Sequence, residues 1–264
     1  MQCVTVATFL TIYVVVMIAK VNSLIKFRVT GGEDDTEGEF PFVVSLQYKE
    51  PKIFKGYAVY RACTGTLIAH DWVLTAAHCM NPDIKLVRYG NMSIPRNESQ
   101  SFKEIVKMIP HPSYRLTNIH GMDDIGLIMI QKIQMAVGKL SAIDSKTIQG
   151  MKARYAGFGF STTNISAYDT APLQLGEGLV VNCPTMSNYR AHGPHLCIVP
   201  TCSRKDEGWA AGDSGGPIFF DGKIIAVISA RDQIGIFTPV SPYLDWIRDT
   251  MIANTYVRRV RDDK

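Results

Sequence analysis

The chain has 264 residues, 46% of them hydrophobic, with 28 basic and 24 acidic side chains and a formal net charge of +4. That length and apolar fraction suit one or two domains with real cores and exclude a disordered tail or a low-complexity array. Residues 1–28 hold Lys20, Lys26 and Arg28 and no acid, so the chain from Val29 onward carries +1, which excludes a strongly basic nucleic-acid-binding protein.

In chain order, the apolar run of about 16 residues at 4–19, followed by Val21 and Ser23 at cleavage positions, reads as a secretory signal peptide over residues 1–23. A membrane anchor is the alternative, but the run is short for a bilayer span and is interrupted by Thr, so no membrane association is expected. Residues 24–28 then form a very short segment ending on Arg28, ahead of Val29-Thr30-Gly31-Gly32. Beyond it, segments 42–46, 65–69, 71–74, 125–130 and 224–229 read as buried or half-buried strands, separated by turn residues. Residues 243–252, with Leu244, Ile247, Met251 and Ile252 apolar, predict an amphipathic terminal helix. The cluster Arg258-Arg259-Val260-Arg261 is diluted by Asp262 and Asp263 and reads as a solvated end. No tandem repeat or long linker interrupts this pattern.

Three separated motifs carry chemistry: Thr75-Ala76-Ala77-His78-Cys79, Asp123-Asp124-Ile125-Gly126-Leu127, and Gly212-Asp213-Ser214-Gly215-Gly216-Pro217. A serine hydroxyl is a poor nucleophile at neutral pH and needs a base within hydrogen-bond reach, itself oriented by an acid. His, Asp and Ser in this order are one of several unrelated chain orders that solve this problem. Each residue alone has a structural reading, a buried His or a capping Asp, and only the combination is specific.

Together these motifs resemble those of the chymotrypsin/trypsin-like serine proteases, from about Val29 to the C-terminal helix. The resemblance implies an all-β fold of two six-stranded antiparallel β-barrels with a C-terminal helix. A peptidase domain would span 29–264, its first barrel about 29–140 and its second about 141–264. His78 would act as base, Asp124 as its acid and Ser214 as nucleophile, with Asp123 as the rival acid. The amides of Gly212 and Ser214 would form the oxyanion hole. Cleavage after Arg28 would free Val29 to pair with Asp213, which makes the expected product a secreted zymogen with residues 24–28 as its propeptide.

The six cysteines place the chain in an oxidising compartment, and five remain once Cys3 leaves with the signal. The resemblance pairs Cys63 with Cys79 and Cys183 with Cys197. Cys202 is left as a free thiol, an intermolecular partner or the true mate of Cys183. Ala210 stands where the family has a Cys, as do Ala153 and Phe220 at the two ends of another usual bridge.

The expected specificity pocket departs from the family pattern. Its base would be Gly208, without the carboxylate that binds Arg or Lys, so trypsin-like cleavage is not expected. Trp209 either fills the pocket or turns into the core. Ser229 is retained, Ala230 removes an aromatic wall, and Arg231 stands where a Gly keeps the pocket open; the segment from there to Gly235 is short. Two readings follow: an active non-tryptic endopeptidase, or a protease homologue that binds proteases, inhibitors or host proteins without cutting them. Expected partners are protein or peptide substrates, an activating protease and protease inhibitors, with the protein a monomer. Sequons at Asn91, Asn97 and Asn164 suit a glycoprotein. Asn91 replaces an acidic ligand of the family's calcium loop, and His70, His111, His120, His192 and His195 have no metal-like pairing, so no metal or cofactor is expected.

Overall fold

The computed structural model describes residues 32–51, 57–95, 98–99, 101–116, 121–159, 170–183, 194–201, 208, 210–231 and 235–262. The expected signal peptide and propeptide, Val29, Trp209, Cys202 and the sequon residues Asn97 and Asn164 lie outside them.

In chain order the strands are β1 (Glu33–Asp34), β2 (Val43–Pro51), β3 (Tyr57–Ala69), β4 (Trp72–Thr75), β5 (Ile84–Arg88), β6 (Phe102–Pro110), β7 (Arg115–Leu116), β8 (Gly121–Met122) and β9 (Gly126–Ile130). They continue with β10 (Lys152–Gly157), β11 (Gln174–Val181), β12 (Leu196–Pro200), β13 (Pro217–Phe220), β14 (Lys223–Arg231) and β15 (Gly235–Pro239). A 3₁₀ turn, Ser241–Tyr243, leads into the helix α1 (Leu244–Asp262).

Strands β2, β3, β4, β9, β6 and β5 close one antiparallel barrel. Strands β11, β10, β13, β14, β15 and β12 close the second through the β11–β12 pairing, with β1 added outside β11. β4 and β9 are buried at every position, which is why each reads as an unbroken apolar run rather than an alternation. Val44, Leu46, Leu67, Val73, Leu127 and Ile128 fill the first core. Tyr155, Val180, Ile198, Ile218, Ile228 and Phe237 fill the second. The chain passes from one barrel to the other between β9 and β10.

The ends of the chain cross over. The N-terminal β1 pairs with β11 of the second barrel, whereas α1, which follows the second barrel, packs on the first. Leu244, Ile247 and Met251 supply that contact. Ile252 corrects the predicted apolar face: it is 62% exposed, because one further residue turns it about 100° away from Met251. The helix also runs on to Asp262, well past the predicted 252.

Both implied disulfides form. Cys63 bonds Cys79 with Cα atoms 6.2 Å apart, and Cys183 bonds Cys197 at 5.2 Å. Where a further bridge is missing, Ala153 and Phe220 pack into the same apolar core on neighbouring strands. Apolar packing stands there in place of a covalent link.

Candidate active site

His78 owes its position to its neighbours. Ala76, Ala77 and Cys79 are all buried, and Cys79 is bonded to β3, so the short 3₁₀ turn Ala77–Cys79 is pinned on both sides. The His78 side chain, 29% exposed, is left facing the junction between the barrels.

Asp124 meets His78 twice. The backbone N–H of His78 donates to Oδ1 at 2.8 Å, and Nδ1 lies 2.7 Å from Oδ2. With a carboxylate as acceptor, Nδ1 carries the proton and Nε2 keeps its lone pair. The hydroxyl of Ser229 donates to the same Oδ2 at 2.5 Å. The Asp124 side chain is 1% exposed, and burial alone would raise its pKa. The hydrogen bond and charge of His78, the Ser229 hydroxyl and the His78 N–H outweigh burial and hold it below the ordinary carboxylate value.

Of the two adjacent acids, Asp124 is the one on the imidazole. Asp123 turns away and accepts a hydrogen bond from the Tyr243 hydroxyl at 2.6 Å.

Ser214 sits in a turn tied to both barrels. Its carbonyl accepts from Thr64 N–H on β3 at 2.8 Å, and Gly215 N–H donates to Ile228 O on β14 at 2.8 Å. Gly212 has φ +98° and its carbonyl accepts from Thr64 Oγ1 at 2.8 Å. Gly215 has φ +82°, and a Cβ there would strike Thr75 and the Thr64 carbonyl. Both positions therefore require glycine. The Ser214 carbonyl is 3.6 Å from Cys79 Sγ, and a ring nitrogen of His78 lies within 4.8 Å of that sulfur. Serine and imidazole thus share one end of the barrel junction. Among the described residues, the N–H groups of Gly212 and Ser214 are committed to no acceptor.

Asp213 is wholly buried and accepts from the N–H groups of Gly159 at 2.6 Å and Ala210 at 2.7 Å. Burial pushes its pKa up to about 6 in spite of those two donors. A buried carboxylate this poorly compensated favours a cation.

The expected pocket is described in part. Gly208 and Gly235 are buried, and the backbone of Ala230 and Arg231 pairs with Ile236 and Gly235. Ser229 proves to be a partner of the acid, a role its place in the pocket motif did not reveal. Arg28, Val29 and Trp209 lie outside the described residues.

Two closed six-stranded barrels, with an Asp-bound imidazole and a glycine-flanked serine at their junction, define the double-barrel serine-protease class. Known proteins agree: a family profile described as Trypsin matches residues 29–247. The chain is 28% identical over 237 residues to Trypsin-3 of Salmo salar, an alignment covering 86% of this chain and 94% of that one. It is 28% identical over 240 residues to Trypsin of Xenopus laevis, covering 86% and 92%. To Chymotrypsin-like elastase family member 1 of Bos taurus it is 27% identical over 248 residues, covering 86% and 91%. The chain belongs to the chymotrypsin/trypsin-like serine protease family. Among the described residues no helix is long and apolar enough to cross a membrane.

Proposed function

We propose that this chain is a secreted serine endopeptidase of non-tryptic specificity, made as a zymogen and glycosylated. The observation that carries this reading is the Asp124–His78 pair, beside Cys79, whose sulfur in turn meets the Ser214 carbonyl. In the proposed reaction, Ser214 Oγ attacks the peptide carbonyl while its proton passes to His78 Nε2. Asp124 stabilises the imidazolium as it forms. The amides of Gly212 and Ser214 receive the oxyanion, each worth about 10²–10³ in rate. The imidazolium then protonates the leaving amine, the acyl-enzyme forms, and water releases it by the same steps in reverse.

Activation would follow cleavage after Arg28 by another protease. The freed ammonium of Val29 would meet the buried Asp213 carboxylate and fix the turn that carries Gly212 and Ser214. Gly208 offers no counter-charge to a basic side chain, which supports cleavage after small or apolar residues. Exposed Asn91, followed by exposed Ser93, is the sequon best suited to carry a glycan. Substrates would be proteins or peptides, handled by a monomer.

A peptide library incubated with the cleaved protein tests this reading. The expected result is cleavage after uncharged residues that Ser214→Ala abolishes. Cleavage after Arg or Lys would overturn the specificity. No cleavage of any peptide by the folded, cleaved protein would leave the binding homologue.

A further inference from the structure

Asp124 owes its aim to the residue before it. Asp123 adopts φ +49°, unusual for a residue other than glycine, and Ile125 N–H donates back to the Asp123 carbonyl at 2.8 Å. Asp124 is therefore the apex of a three-residue turn whose cost lies in the left-handed backbone of Asp123 just before it. Something must stabilise that bend.

The described contacts supply it. The Asp123 side chain accepts from the Tyr243 hydroxyl at 2.6 Å, and Tyr243 is buried at the foot of α1. His111 braces the same turn. Its N–H donates to the Ile125 carbonyl at 2.9 Å, and its ring meets Tyr243 and Trp246 edge-on at 5.0 and 4.8 Å. Lys107 Nζ, on β6, reaches Asn254 Oδ1 on α1 at 2.7 Å, which holds the helix to the barrel that bears the turn. Burial and the nearby carboxylates keep the Tyr243 hydroxyl protonated, so that it remains a donor.

We propose that Asp123 and Tyr243 are a positioning pair that holds Asp124 on His78, so that the turn leading into the C-terminal helix sets the acid carried by the first barrel. Its kinetic consequence rests on the proposed endopeptidase reading; its geometric consequence does not.

The test therefore has two readouts. In proton NMR of the full chain, the His78 Nδ1–H bound to Asp124 gives a far-downfield signal, assigned by its loss in His78→Ala. Asp123→Ala and Tyr243→Phe are expected to shift or broaden that signal. Asp123→Asn, which keeps an acceptor oxygen and tolerates a left-handed backbone, is expected to retain it. In the cleaved protein, fluorophosphonate acylation is expected to fall about tenfold in both damaging variants, with their combination no slower than either alone. Asn at 123 should restore the rate. Tyr243→Phe removes a single oxygen, so it serves even where Asp123→Ala does not fold. An unchanged downfield signal in Tyr243→Phe would overturn the proposal, as would additive rate losses or no rescue by Asn. Wild-type protein that fails to acylate would sink the endopeptidase reading alone, because the NMR signal still decides the positioning role.

Discussion

Asp124 collects three hydrogen bonds in a space that admits almost no water, and those bonds rather than its exposure keep it ionised. Removing one therefore acts mainly on the charged form. Ser229→Ala is expected to cost about 1.5–3 kcal/mol at neutral pH, the usual loss for a hydrogen bond to a charged group. The sign with pH follows from the lowered pKa: the stabilisation is present above the ordinary carboxylate value and lost as pH falls through the folded one. Urea unfolding of both proteins at pH 7 and in acid checks this; a difference that does not shrink in acid would contradict it. The pairing of His78 with Asp124 was legible in the chain because both local motifs are distinctive. The partners Ser229 and Tyr243 were not, because each lies over 100 residues from the acid it serves and a hydroxyl carries no pattern of its own.

Among the elements, the buried apolar runs of β4 and β9 could be read directly, whereas β6 and β11 could not. β11 contains Gly176 and Gly178, which weaken a strand signal. Their place is set by neighbours that sequence spacing does not reveal: a Cβ would strike the Tyr155 ring at 176 and Ile198 at 178. β6 mixes Lys103, Glu104 and Lys107 with partly buried aliphatics, which blurs its alternation. The turn that holds His78 depends on one covalent tie, whose ends are 16 positions apart in the chain. Cys63→Ala/Cys79→Ala is expected to lose about 3 kcal/mol in denaturant unfolding under oxidising conditions. A midpoint equal to that of the parent would contradict it. The loop after β5 has its own organiser: the buried Arg88 guanidinium donates to the carbonyls of Met92 and Ile94 and lies 5.8 Å from the Phe102 ring centre. With a fixed cation there, the melting temperature is expected to be the same in calcium and in chelator. A rise of several degrees with calcium would show that the loop takes the ion after all.

For the molecule as a whole, each barrel is held by the other's end of the chain, β1 on the second and α1 on the first. The two-barrel architecture was legible through the family motifs, whereas this crossing was not, since it depends on which sheet edge and which core face each terminus meets. The buried Asp213 links the same scale to the proposed activation. Its pKa is raised from 3.8 to about 6, so the uncleaved chain is favoured by its protonated form. Stability is expected to fall by about 3 kcal/mol as pH rises from about 4 to about 6, and Asp213→Asn should flatten that slope. Urea titrations of the uncleaved chain across this range read it, and an equal slope in both proteins would contradict the burial argument. The proposed endopeptidase activity requires the junction of the barrels to perform acyl chemistry. Its most direct test is covalent labelling by a small fluorophosphonate after cleavage following Arg28, because such a probe needs the nucleophile, the base and the oxyanion donors and asks little of the specificity pocket. Labelling of the wild type that Ser214→Ala eliminates is the predicted result. No labelling of a folded, correctly cleaved protein would contradict it.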